Sequence, residues 1–279
     1  MVDSSIDASP ILVLSANGKT GRRVADRLRA RGDKVRACSR STQPRFDWND
    51  RTTWSSVLDG VKRAYVTYQP DLAIPGALDT VSAFFDAALT HGTQRIVLLS
   101  GRGEEEAEAA ERALQRSGAC WTILRCSWFM QNFSEGFLLD ALRESTLALP
   151  VGDIKEPFVD ADDIADVAVA VLTQPGHENR LYEVTGPRAL SFGEALECIV
   201  QATRRDLCLV PVPPDAFRAG LLEAGVSQPE ADLILYIFTT VLDGRNEKPA
   251  DGVRLALNRE ARSFQDYARR TAESGIWNA

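Results

Sequence analysis

The segment Ile11-Leu-Val-Leu-Ser-Ala-Asn-Gly-Lys-Thr-Gly21 constrains the fold more than any other stretch of this chain. Four consecutive apolar residues read as a strand buried on both faces, the habit of a parallel sheet covered by helices. The strand runs into a loop of small residues, Ser15-Ala-Asn-Gly18-Lys-Thr20-Gly21, and then into Arg22–Gly32, where Val24 and Leu28 stand one helical turn apart. A second strand, Lys34-Val-Arg-Ala-Cys-Ser39, completes a βαβ unit. This is the setting of a dinucleotide fingerprint. Glycines let the backbone approach a pyrophosphate, and the helix N-terminus offers N–H groups and a positive dipole. The spacing is G-x-x-G-x-x-G with Ser15 in place of the first glycine. A Cβ there narrows the turn or crowds the pyrophosphate, so binding is expected to be weakened rather than lost.

The alternation continues through a strand at Ala64–Tyr68, a helix over Pro75–Thr90, and strands at Arg95–Ser100 and Cys120–Arg125. The acidic run from Glu104 to Glu111 reads as a solvated helix start favoured by the dipole. From about Phe133 the rhythm breaks. A helix is expected over Ile164–Leu172, a last strand over Leu181–Thr185, a capping box at Ser191–Glu194 and a stiff connector at Val210–Pro214. The expected class is α/β: a Rossmann-type doubly wound parallel sheet with a smaller, mainly helical C-terminal substrate lobe. Residues 1–10 read as a loose leader, 11–190 as the NAD(P)-binding domain and 191–279 as the lobe.

A net charge of −7 argues against nucleic-acid and anionic-membrane partners, and no apolar run reaches the ~20 residues of a membrane span. The N-terminus carries no secretion signal, and five scattered cysteines without a C-x-x-C read as reduced thiols of a cytoplasmic protein. With only His91 and His177, no histidine metal site is expected. The partner is therefore a small molecule, bound by a monomer or a homodimer.

Ligands of a doubly wound sheet sit at the carboxyl ends of its strands. Those ends supply the candidate cofactor residues: Ser15, Asn17, Gly18, Lys19, Thr20 and Gly21, then Ser39, Arg40 and Ser41, Asp47 and Trp48, Tyr68 and Gln69, and Ser100 and Gly101. The second strand ends without the acid that would bind a ribose 2′-hydroxyl. Arg40 with two serines, and Lys19 nearby, suit a 2′-phosphate, so NADP(H) is preferred over NAD(H). Tyr68, Arg102, Trp128, Phe129 and Phe133 are candidates for a substrate pocket, with Tyr236 and Phe238 closing from the C-terminal helices. Ser100 is the candidate catalytic residue, orienting or polarising the substrate. Between Gly101 and Cys120 there is neither the tyrosine nor the lysine that short-chain dehydrogenases use as an acid.

Asn17-Gly-Lys-Thr-Gly-Arg-Arg23, Ile96–Ser100, Trp121–Arg125, Trp128-Phe-Met-Gln-Asn132, Phe158-Val-Asp160, Asp163-Ile-Ala165 and Tyr182–Pro187 carry a resemblance. The chain resembles the NmrA-like, atypical short-chain dehydrogenase/reductase family. Within it, Arg45-Phe-Asp-Trp48 and Phe264-x-x-Tyr267 resemble bacterial relatives of the ergot-alkaloid clavine (festuclavine and agroclavine) dehydrogenases. The resemblance implies hydride transfer from NADPH to a cyclic iminium, which needs no proton donor and fits the missing Tyr/Lys pair. Cys126, where many relatives have proline, departs from the pattern. Two readings follow. One is an NADPH-dependent reductase of an activated iminium, quinone, enone or polycyclic carbonyl, in secondary metabolism. The other is a non-redox protein, either a dinucleotide sensor or a cyclase/isomerase on the same scaffold. The intact Gly18, Gly21, Lys19 and Arg40 favour the reductase.

Overall fold

The computed structural model describes residues 9–278; residues 1–8 of the expected leader lie outside the described residues. Along the chain come β1 (Ile11–Leu14), α1 (Lys19–Ala30), β2 (Val35–Cys38), α2 (Trp54–Leu58), β3 (Arg63–Val66), α3 (Ala77–Thr90), β4 (Arg95–Gly101), α4 (Glu105–Arg116) and β5 (Cys120–Cys126). Next are α5 (Leu138–Arg143), β6 (Thr146–Leu149), β7 (Lys155–Glu156), α6 (Ala161–Thr173), β8 (Arg180–Val184), β9 (Leu190–Ser191) and α7 (Phe192–Thr203). The last are β10 (Cys208–Pro211), α8 (Pro214–Glu223), α9 (Gln228–Tyr236), α10 (Gly252–Leu257) and α11 (Phe264–Glu273).

The chain divides into two compact units. The first comprises the chain up to Cys126, Ala161–Val184 and Gly252–Arg259; the second comprises Ser127–Asp160, Thr185–Asp251 and the remainder from Glu260. This is not the contiguous split at residue 190 that the sequence suggests. The alternation does break after β5, but α6, β8 and α10 return to the first unit.

The first unit holds a six-stranded sheet in the order β2-β1-β3-β4-β5-β8, every neighbouring pair parallel. It is the expected Rossmann-type sheet. The order reverses at β1, which has β2 on one side and β3 on the other, so the loop after β1 lies at the topological switch point. All four residues of β1 are fully buried, as an apolar run in a doubly covered sheet should be. Helix α1 lays Val24, Ala25 and Leu28 inward, and its Arg27 reaches Asp162 and Asp166 of α6 at 2.7 Å each.

The second unit contains a parallel pair, β6 with β10, and an antiparallel two-residue pair, β7 with β9. The segment expected as a stiff connector at Val210–Pro214 instead begins inside β10. Pro211 closes that edge strand at its last residue, where a missing N–H costs the ladder little. The capping box is present: Ser191 Oγ accepts from the Glu194 N–H at 3.1 Å, and Glu194 Oε2 accepts from the Ser191 N–H at 2.8 Å. Phe133, Phe158, Phe192 and Phe264 pack edge to face or tilted around one another, with centroids 5.2–5.8 Å apart.

Candidate dinucleotide site

The loop after β1 turns on Ser15, which takes a φ of +52° while 8% exposed. That left-handed conformation is the one a glycine adopts freely, and an L side chain there costs roughly 1–2 kcal/mol. A glycine would meet this backbone requirement without strain; this chain meets it with a serine. The Ser15 carbonyl accepts from the Gly18 N–H at 2.8 Å and closes the turn. Gly18 precedes α1 in extended backbone, and no acidic residue stands in the helix's first turn to compete for an anion. Gly21 is the close approach. A Cβ on it would lie 2.2 Å from the Ser15 carbonyl oxygen and 2.8 Å from that of Leu14, so only glycine lets α1 sit this tightly on β1.

Asn17 links this loop to the end of β2. Its Nδ2 donates to Ser39 Oγ and Ser41 Oγ, both at 3.0 Å. Arg40, between the two serines, is exposed. Thr20 is buried beneath the loop, and Lys19 is half-buried with its carbonyl accepting from Arg23 Nη1 at 2.7 Å. The side chain of Gln69, from the loop after β3, lies over Gly18, its Nε2 3.7 Å from where a Cβ would stand. Asn17, Gly18, Gly21, Ser39, Ser41 and Gln69 therefore come together at the switch point.

Other candidates are placed differently. Trp48 is a core side chain: it is 7% exposed, donates from its indole nitrogen to the Thr67 carbonyl at 3.2 Å, and packs edge to face against Phe46, Trp54 and Phe84. Half-buried Tyr68 leans on it at 4.9 Å. Asp47 is engaged locally by Arg45 at 2.7 Å and by the Asn49 N–H at 3.1 Å. Phe133 is fully buried, packed among phenylalanines, and Phe238 is buried against Trp128 at 4.8 Å. These two are core rather than lining. Phe129 and Tyr236 are half-buried in the second unit, whereas Tyr68 and Arg102 belong to the first. Arg102 pairs with Glu183 at 3.4 Å beside the end of β8. Of the cysteines, Cys208 is exposed rather than in a core; the others are buried or half-buried, and burial pushes the Cys38 thiol up to about 11.

Ser100 needs a correction. Its hydroxyl is buried and donates to Glu111 Oε1 at 2.6 Å. Glu111 is also held by Arg125, whose Nε reaches the same oxygen at 2.9 Å. The side chain is turned toward α4, and its hydroxyl fastens that helix to the sheet through Glu111.

The acidic run expected as a solvated helix start is instead partly buried, with Glu104 at 8% and Glu111 at 2% exposure. Gly101 ends β4, and a Cβ there would meet the Glu104 carboxyl at 2.3 Å, so that carboxyl lies directly over the glycine. Glu104 is buried, and the half-buried carboxyl of Asp71, in the loop after β3, acts on it. Burial, and then the Asp71 charge, hold Glu104 well above the usual carboxylate range. Burial also raises Asp71. The available signal was position: Glu104 is the one member of the acidic run that precedes the helix, three residues past a strand-end glycine.

A glycine loop at the switch point of a parallel sheet, with a phosphate-suited polar shelf at the end of β2, defines a dinucleotide-binding Rossmann protein. The NAD(P)H-binding family profile matches residues 15–175, and the chain belongs to this NAD(P)H-binding, NmrA-like family of reductases. It is 30% identical over 285 residues to the agroclavine dehydrogenase of Claviceps fusiformis, covering 96% of this chain and 98% of that one. It is 29% identical over 233 residues to the NAD(P)H azoreductase of Xenophilus azovorans, covering 80% of each. A solved NADPH-dependent quinone oxidoreductase of Escherichia coli, complexed with NADPH, shares the fold with a TM-score of 0.75 at 18% identity, over 93% of this chain and 99% of that one. Among the described residues no helix is long and apolar enough to cross a membrane.

Proposed function

We propose that this protein is an NADPH-dependent reductase that delivers hydride to a small activated substrate: an iminium, quinone, enone, azo compound or polycyclic carbonyl. The reading is carried by the shelf at the end of β2. There Asn17 gathers the Ser39 and Ser41 hydroxyls at 3.0 Å around an exposed Arg40, and Ser39–Ser41, directly after the strand, holds no carboxylate to repel a 2′-phosphate. Gly18 and Gly21 let α1 present its N-terminus to the pyrophosphate. Ser39, Arg40 and Ser41 hold the 2′-phosphate, and Gln69 borders the loop. When bound, the nicotinamide supplies the hydride; the chain's part is to orient the partners and exclude water. The activities named for the agroclavine dehydrogenase, azoreductase and quinone oxidoreductase relatives support the substrate class.

Fluorescence titration with NADPH and NADH tests the reading. NADPH is expected to bind at least about tenfold more tightly, and Arg40→Ala to remove most of that difference, since a charge-assisted contact is worth ~1.5–3 kcal/mol. Equal affinities in the unmodified protein overturn the preference. Cofactor binding without turnover of any activated substrate would favour the dinucleotide sensor.

A further inference from the structure

The sheet edge that carries the cofactor loop also carries an acid. We propose that the Asp71–Glu104 carboxyl pair is the proton source of this reductase, Glu104 giving its proton to the oxygen or nitrogen that hydride addition leaves negative. The inference rests on the reductase reading and deepens it for those of its substrates whose reduced form must be protonated, quinones and azo compounds among them.

Three independent placements carry it. Glu104 follows β4 and Asp71 follows β3, so both stand at the carboxyl ends of neighbouring central strands, where this fold binds its ligands. The loop that brings in Asp71 also lays Gln69 against Gly18, which puts the pair's own loop at the cofactor turn. Gly101 leaves room for the Glu104 carboxyl over the end of β4, a position that any side chain there would deny it. Competing proton donors on this stretch are missing or committed. No tyrosine or lysine lies between Gly101 and Cys120, and the Ser100 hydroxyl is held by Glu111.

Two neighbouring, largely buried carboxyls cannot both ionise cheaply, and the neutral form of Glu104 is the favoured one. The charges acting on Glu104 are those of Asp71, Glu106 and Glu111, all of which favour its neutral form. The step balances. A quinone takes up a hydride on one atom, the resulting oxyanion takes the Glu104 proton, and the product is the neutral hydroquinone. The Glu104 carboxylate is then reprotonated from water by way of half-buried Asp71. An iminium, by contrast, becomes a neutral amine on hydride addition and draws nothing from the pair.

The test compares Glu104→Gln, Asp71→Asn and Tyr68→Phe on one quinone and one cyclic iminium with NADPH, together with infrared spectra of the cofactor-free protein. The ratio of quinone to iminium turnover should fall about 10²-fold or more in Glu104→Gln, in line with the usual worth of a general acid. The solvent isotope effect and the alkaline fall of quinone turnover should vanish with it. Asp71→Asn should shift that pH profile. At neutral pH the unmodified protein should show a protonated-carboxyl stretch that Glu104→Gln lacks. No such band in the unmodified protein, or an unchanged substrate ratio in Glu104→Gln, overturns the proposal while the reductase reading stands. Loss of quinone turnover only in Tyr68→Phe moves the proton to the phenol and overturns it too. A protein that oxidises NADPH with neither substrate overturns both readings.

Discussion

Replacing Gly21 by alanine separates two opposing effects whose sizes the structure fixes. Gly21 is the third residue of α1, and in a helix alanine is favoured over glycine by about 1 kcal/mol when there is space for the methyl. Here there is none. The new Cβ would stand 2.2 Å from one backbone oxygen and 2.8 Å from another, and neither can rotate away as a side chain could. Relief requires the start of α1 to lift from β1 by about an ångström, at the typical overpacking cost of ~1–3 kcal/mol or more. Two backbone oxygens are crowded at once, which puts the cost at the upper end of that range, ~3 kcal/mol; less the ~1 kcal/mol of propensity, the net expectation is a loss of about 2 kcal/mol. That corresponds to a fall of roughly 4–8 °C in melting temperature for a protein of this size class. Because the lifted turn is the one proposed to hold the pyrophosphate, NADPH affinity should fall as well. Gly18→Ala is the internal control: its Cβ would meet the Ser15 oxygen at 3.2 Å, which a shift of a few tenths of an ångström relieves. Thermal unfolding of the cofactor-free proteins and fluorescence titration read both effects. A Gly21→Ala protein as stable as the parent, or more so, would refute the close-approach argument.

Ser15→Gly should raise stability by up to about 1 kcal/mol, since left-handed relief of roughly 1–2 kcal/mol exceeds glycine's extra chain entropy of about 0.5–1; NADPH titration should show tighter binding, and weaker binding would make the hydroxyl a ligand. Ser100→Ala should cost about 1.5–3 kcal/mol in denaturant unfolding through the lost bond to Glu111, while steady-state turnover stays within about twofold. Glu104 is raised in the folded state, so its stabilising contribution is complete below the ordinary carboxylate range and is lost as pH rises through its raised range. Melting temperatures of Glu104→Gln should therefore gain on the parent from roughly pH 5 upward, and parallel pH profiles would refute this.

The βαβ opening was legible because its signals are local. An apolar tetrad, a glycine spacing and a helical period of apolar residues each speak within a few positions, and β1, α1 and β2 follow them closely. The left-handed Ser15 was legible only as a departure from a glycine pattern. Trp48 departs from its expected role because a tryptophan in the loop after β2 can face either a ligand or the core, and its partners Phe46, Trp54 and Phe84 decide for the core. The direction of Ser100 depends on Glu111 across a helix, and the Glu104 contact depends on Asp71 from another strand's loop; neither has a sequence period. In the second unit the strands are two to four residues long and pair across large separations, as β6 does with β10, which leaves no alternation to read.

The sheet unit is stitched from three stretches of chain, and this governs how the protein can be made and cut. A cassette ending at residue 190 would sever β9, leave β6 without β10, and omit Arg259, whose guanidinium meets the fully buried Asp163 at 2.7 Å. Removing one partner of such a buried pair is costly, about 3–5 kcal/mol. The nucleotide-binding half is therefore not a portable module for fusion or domain exchange. During synthesis, β1 to β5 leave the ribosome long before Gly252–Arg259 exist, so the unit that is translated first is completed nearly last.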